Sequence, residues 1–160
     1  MIDKNIIQKW LVDEGMFKNE IPDNNSNFHF VVNYPENHVM DLIQPLGKND
    51  MILIGCATEI DPNQIDLIKN AKKKVKQNFI WDIRFTLNNF LLDFELAHPN
   101  DELQRFVITD EIYEDGLTKN SLMMSIKKVF KGKLQCIWML DRTFGENPNI
   151  IEHHNDNMYA

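Results

Sequence analysis

The chain has 160 residues, a formal net charge of −7, 43% hydrophobic residues and two cysteines. A chain of about this length buries roughly 70% of its unfolded surface, so a core needs neither disulfides nor metal to hold it. The acidic balance argues against a nucleic-acid backbone or an anionic membrane as partner, and no apolar stretch approaches the ~20 residues that span a bilayer.

Residues 3–14 read as a first helix. Asp3 caps it, Ile6, Ile7, Trp10 and Leu11 line one face, and Gly15 suits its left-handed stop. The stretch from Lys18 to Asn27, with Pro22 and a cluster of asparagines, breaks every periodicity and reads as a mobile loop. From Phe28 to Tyr34 the residues alternate, with Phe28, Phe30, Val32 and Tyr34 on one face and His29, Val31 and Asn33 on the other. Pro35–Asn37 turns the chain into a second strand, Val39–Pro45, and Gly47–Asp50 turns it into a third, Met51–Thr58. Such short turns imply an antiparallel meander. The third strand is apolar on both faces, which predicts cover on both sides, from the protein itself or from a partner.

Residues 61–90 read as one long helix. Asp61 and Pro62 suit its start, and Gln64 completes a capping-box spacing with Asp61. Ile68, Ala71, Val75, Phe79, Ile83, Leu87 and Phe90 recur at steps of three or four, the signature of an apolar helical stripe. Unbroken, the segment would be roughly 43 Å long at about 1.5 Å per residue, which makes a kink or break near Asn78 an expectation. Lys72, Lys73, Lys74 and Lys76 mark a wet first half, whereas Phe79, Ile80, Trp81, Ile83 and Phe85 are apolar on more than one face. Such a segment covers the sheet with one face and meets a second helix or another chain with the other.

Leu92, Phe94 and Leu96 then alternate with Asp93 and Glu95 as a half-buried strand. After the turn at His98–Asp101 comes a fifth strand, with Phe106, Ile108 and Ile112 inward. Thr118 caps a last helix that carries Leu122, Ile126, Val129, Phe130, Leu134, Ile137 and Trp138 to about Phe144, with Gly132 inside it. The order is α-β-β-β-α-β-β-α. Residues 1–145 read as a single α+β domain, and 146–160, polar and without period, as a flexible tail.

Motifs for chemistry are sparse. There is no GxGxxG and no GxxxxGK[ST], so no known phosphate loop. The histidines fall into no HxH, HExxH or CxxC spacing, and His153 and His154 lie in the tail, so neither metal nor cofactor is expected. Ser26, Ser121 and Ser125 occupy no nucleophile elbow. Cys56 could lie opposite His29 across neighbouring strands, but its apolar surroundings, like those of Cys136, read as a buried thiol of a reducing cytosol. Paired carboxylates occur at Asp93/Glu95, Asp110/Glu111 and Glu114/Asp115. Alternation puts Asp93 and Glu95 on one sheet face, where a general acid/base pair could form, but a charged outer face that keeps the sheet wet explains them more cheaply. Arg84 stands inside an apolar run and should seek a carboxylate partner or snorkel, or serve an anionic group; in an enzyme or small-ligand sensor it would line a pocket with Asp41 or Asp93.

Taken together, FHF at 28–30, DLIQP at 41–45, WDIRF at 81–85 and DGLTK at 115–119 give the chain its resemblance to a family of small archaeal and bacterial proteins, domain of unknown function 2299. The resemblance runs from the first helix to about Phe144. It brings no established activity, cofactor or catalytic residue. The element order is also similar to the type III secretion chaperone-like fold, which implies a two-layer domain with one five-stranded antiparallel sheet, in strand order 1-2-3-5-4, packed against helices. Proteins of that fold commonly dimerise and bind other polypeptides. The expectation is therefore a cytoplasmic, non-enzymatic polypeptide-binding module, a homodimer that also holds another polypeptide. Its candidate interface is Phe79, Trp81, Phe85, Ile52 and Ile54, and Arg84 is its candidate anion or ion-pair site. The alternative is a small-ligand sensor or enzyme with a pocket near Arg84.

Overall fold

The computed structural model describes residues 1–145. The tail at 146–160, including His153, His154 and the Pro148 expected to follow the last helix, lies outside the described residues. The elements are α1 (Lys4–Asp13), β1 (Phe17–Glu20), β2 (Ser26–Asn33), β3 (Val39–Pro45), β4 (Met51–Glu59), α2 (Pro62–Lys69), α3 (Lys73–Asn89), β5 (Asp93–Ala97), β6 (Arg105–Tyr113) and α4 (Lys119–Phe144). Short 3-10 turns at Pro99–Asp101 and Glu114–Gly116 lead into β6 and α4. Among the described residues, no helix is long and apolar enough to cross a membrane.

The sheet has six strands in the order β1-β2-β3-β4-β6-β5. It is an α+β protein with an antiparallel meander, as the alternation and short turns predicted, but the expected count of five strands is one too few. The added strand is β1, Phe17–Glu20, in the stretch expected to be a mobile loop. It pairs antiparallel with β2, Phe17 opposite Val32 and Glu20 opposite Phe30, across a bulge between Phe17 and Asn19. With a single apolar residue in FKNE, it carries no period-2 signal of its own. Its backbone pairing with β2 makes it a strand.

The chain divides into two compact units, Met1–Cys56 with Ile108–Lys131, and Ala57–Val107 with the chain from Gly132. In the first unit, β2, β3 and β4 register so that Phe30 lies opposite Leu42 and Leu42 opposite Ile54. These three side chains are fully buried in one row across the meander. The Asp3 carboxylate caps α1 by accepting from the Asn5 and Ile6 N–H groups. Gly15, at φ +68, and the Met16 N–H donating to the Leu11 carbonyl at 2.8 Å end that helix, as the glycine signal predicted. Gly55 is required for a different reason. A Cβ there would lie 3.0 Å from both the Ile108 carbonyl oxygen and the Thr109 methyl, so only glycine lets β4 lie this close to β6.

In the second unit the segment 61–90 is two helices, and the break falls at residues 70–72 rather than near Asn78. Asn70 ends α2 and Lys72 is extended, at φ −62 and ψ 141. A straight helix would stack Lys72 on Lys76, like charges one turn apart. Its stripe would cross the gap on Ala71 and Val75, of which Val75 is exposed. At the break the Lys76 ammonium donates to the Lys69 carbonyl at 3.2 Å and pairs with Glu102 at 3.0 Å, satisfying an acceptor that the end of α2 leaves open. Gln64 does not close the expected capping box. Its buried amide donates instead to Asp141 on α4, at 3.0 Å.

Candidate functional site

The face of α3 that stays in water is unusual in composition. Ile80, Ile83, Leu87 and Phe79 take the buried positions, and Phe79 packs edge-on against Phe144 with ring centroids 4.8 Å apart. Trp81 and Phe85, one helical turn apart, point away from that stripe and are 54% and 60% exposed. Their rings stack at 5.9 Å with an interplanar angle of 30°. The Arg84 guanidinium lies over the Trp81 ring at 4.8 Å, and its NH2 group donates to His98 Nε2 at 3.1 Å. Because a guanidinium can only donate, the ring nitrogen of His98 accepts and carries no proton in this arrangement.

Three of the residues expected at an interface are therefore out of reach. Ile52 and Ile54 are wholly buried and Phe79 nearly so. Their apolar side chains are spent on the protein's own core, because the two-faced pattern of the third strand and the first aromatic of the run both mark burial. Trp81 and Phe85 are the exposed remainder. Arg84 has a different partner from the expected one: no carboxylate lies within ion-pair distance among the described residues, and an imidazole and an indole hold it. Asp41 is engaged by His29 instead, and Asp93 is exposed on β5.

A second cluster, in the first unit, escaped the sequence reading. The ring of His29 is held between two carboxylates, Asp23 Oδ2 at 3.0 Å from Nδ1 and Asp41 Oδ1 at 2.7 Å from Nε2. Asp23 also accepts from the Ser26 hydroxyl at 2.6 Å and the Asn25 N–H at 2.9 Å. Burial works to lower the His29 pKa, but the hydrogen bonds and charges of Asp41 and Asp23 together outweigh it and hold it above the ordinary 6.5. The Ser26 hydroxyl, then the Asn25 N–H, then His29 hold the Asp23 carboxyl below its ordinary value. With both ring nitrogens engaged and the serine donating to Asp23, this is an ionic clamp rather than a nucleophile–base pair. Cys56 is buried on β4, and β3 separates β4 from the strand that carries His29, so the pairing of these two considered from sequence is not formed.

Other polar groups serve the fold. Asp110 accepts from Ser125 at 2.6 Å and pairs with Lys128 at 2.8 Å. An open depression of about 570 Å³ is lined by Asp50, Tyr113, Glu114 and Asp115. The charge and hydrogen bond of Glu111 push the Tyr113 hydroxyl up from its ordinary value. No group of three His, Cys, Asp or Glu residues among those described is placed to hold a metal ion.

Fold and surface define an α+β protein with an exposed cation–aromatic face on α3. The chain belongs to the family described as an uncharacterized conserved protein, DUF2299, which it matches over residues 3–140. It is similar to an uncharacterized protein from Methanothermobacter thermautotrophicus of known crystal structure, at 50% identity and a TM-score of 0.87, over 90% of this chain and 100% of that one. A weaker likeness, 14% identity and a TM-score of 0.44 over 88% of this chain and 90% of the other, is to YbjN from E. coli. No curated protein matches the chain.

Proposed function

We propose that the protein is a non-enzymatic polypeptide-binding module, adaptor- or chaperone-like, that holds its partner on the exposed face of α3. The observation that carries this reading is the Trp81–Phe85 pair. Two large aromatic rings more than half exposed, stacked on each other and flanked by an arginine, are the residue types that dominate the energetics of protein interfaces. Their stacking and the Arg84 contact hold the rings in place beforehand, which lowers the ordering cost of binding. The strand order supports a secretion chaperone-like plan to the same extent: with β1 set aside, β2-β3-β4-β6-β5 is the order that plan implies.

A second copy of the chain is the other occupant such a face could take, giving a homodimer. The alternative of a ligand pocket near Arg84 has less support, since the guanidinium is already seated on Trp81 and His98.

The test is capture of the tagged protein from its native cells, with mass spectrometry of what co-purifies, beside Trp81→Ala and Phe85→Ala. A stoichiometric polypeptide lost in both variants, with their folded spectra unchanged, is the expected result. Sedimentation of the pure protein reports a homodimer independently. A partner retained equally by both variants would remove α3 as the binding face.

A further inference from the structure

Resting on the polypeptide-binding reading above, we propose that the segment held on α3 is acidic, with carboxylates that meet Arg84 and Lys74 and an apolar side chain seated on Trp81 and Phe85. The chain as a whole has 24 acidic against 17 basic residues, but α3 reverses the balance, with Lys73, Lys74, Lys76 and Arg84 against Asp82. Lys76 is neutralised by Glu102. Lys73 and Lys74 are exposed and Arg84 has no carboxylate within ion-pair distance among the described residues. Helical spacing places Lys74, Gln77, Trp81, Phe85 and Asn88 in one stripe, with Arg84 along its margin and no acidic residue within it. Two acids border it, Asp82, exposed on the margin opposite Arg84, and Asp101, which accepts from the Gln77 amide at 3.2 Å near the lysine end.

Arg84 is the specific element. One of its donors is spent on His98, and the guanidinium carbon lies over the Trp81 ring at 4.8 Å. The donors that remain suit a carboxylate in a charge-assisted, two-point contact.

The probe is a pair of fluorescently labelled synthetic peptides of one length, alternating glutamate with leucine in the first and glutamine with leucine in the second. Binding to the intact protein is read by anisotropy at low and moderate salt. The glutamate peptide is expected to bind at least about tenfold more tightly than the glutamine one, and to weaken as salt rises. Arg84→Gln should erase that difference while retaining binding, and Trp81→Ala should abolish binding of both. Equal binding of the two peptides, both lost in Trp81→Ala, would overturn the acidic specificity and leave the polypeptide-binding reading intact. Binding of neither overturns both. Self-association that Trp81→Ala reverses would overturn the acidic partner in favour of a second copy.

Discussion

The proton on His29 couples the charge of the first unit to its stability. Its folded pKa lies above the ordinary 6.5, so its contribution is full below that value and is lost as pH rises through the raised folded value. Asp23 works at the other end. Its folded value lies below 3.8, so its contribution is present above that and is lost as pH falls through the lowered one. The clamp is thus complete across the mildly acidic range. Urea unfolding of wild type and His29→Gln should show a stability gap that is wide near pH 5.5 and narrows towards pH 9. A gap that does not change with pH would mean that the ring is held uncharged. Alternation showed that His29 faces away from Phe30, yet the clamp itself was not legible. Asp41 sits diagonally across the next strand, opposite Val31, so the contact exists only once register is known. Asp23 reaches the ring from a connection whose sequence has no period.

Among the elements, those with a strong period and clear turn residues were legible to within a residue or two. Val39–Pro45 and the end of α4 at Phe144 are examples. The α2–α3 break was not, because the stripe of apolar positions continues through Ala71 and Val75 as though burial did too. The pairing of Lys76 with Glu102 is the tertiary contact that a linear pattern does not contain. Both side chains are largely buried, 13% and 15% exposed. Glu102→Gln should cost about 1–3 kcal/mol, since the ammonium would be left in a poorly solvated place with a weaker acceptor. Lys76→Met in the same background should recover part of that loss in chemical denaturation. Gly55→Ala belongs to this scale as well. With backbone and a β-branched side chain 3.0 Å from the added methyl, β4 and β6 must shift, at about 1–3 kcal/mol. By contrast, Trp81→Ala should leave stability within about 1 kcal/mol of wild type, as expected of a side chain more than half in water. If it unfolds the protein, its role is structural.

At the scale of the whole molecule, β4, β6 and α4 each run through residues of both compact units. A single domain is the corresponding proposal, and the thiols can test it. Cys56 belongs to the first unit and Cys136 to the second, and both are buried. Under native conditions both should react with a thiol reagent slowly and at one shared rate, set by global opening. Two well-separated rates, resolved by single Cys→Ala variants, would show that the units open independently. The candidate face was half legible at this scale. The run from Phe79 to Phe85 announced more apolar surface than one helix face needs. Which rings go inward depends on packing, and it is packing that seats Phe79 and leaves Trp81 and Phe85 out.

The two rims of the sheet bear on how a partner can approach. β1 has four residues and β5 has five, and each faces water with charged side chains, Lys18 and Glu20 on one, Asp93 and Glu95 on the other. Short, charged, bulged or wet edges are poor templates for an additional strand. A visiting chain that tried to extend the sheet would find few backbone groups in line and would have to desolvate those charges. Recognition by strand addition, common among proteins with open sheets, is therefore the costlier route here. The same rims guard the protein against stacking edge to edge on its own copies at high concentration.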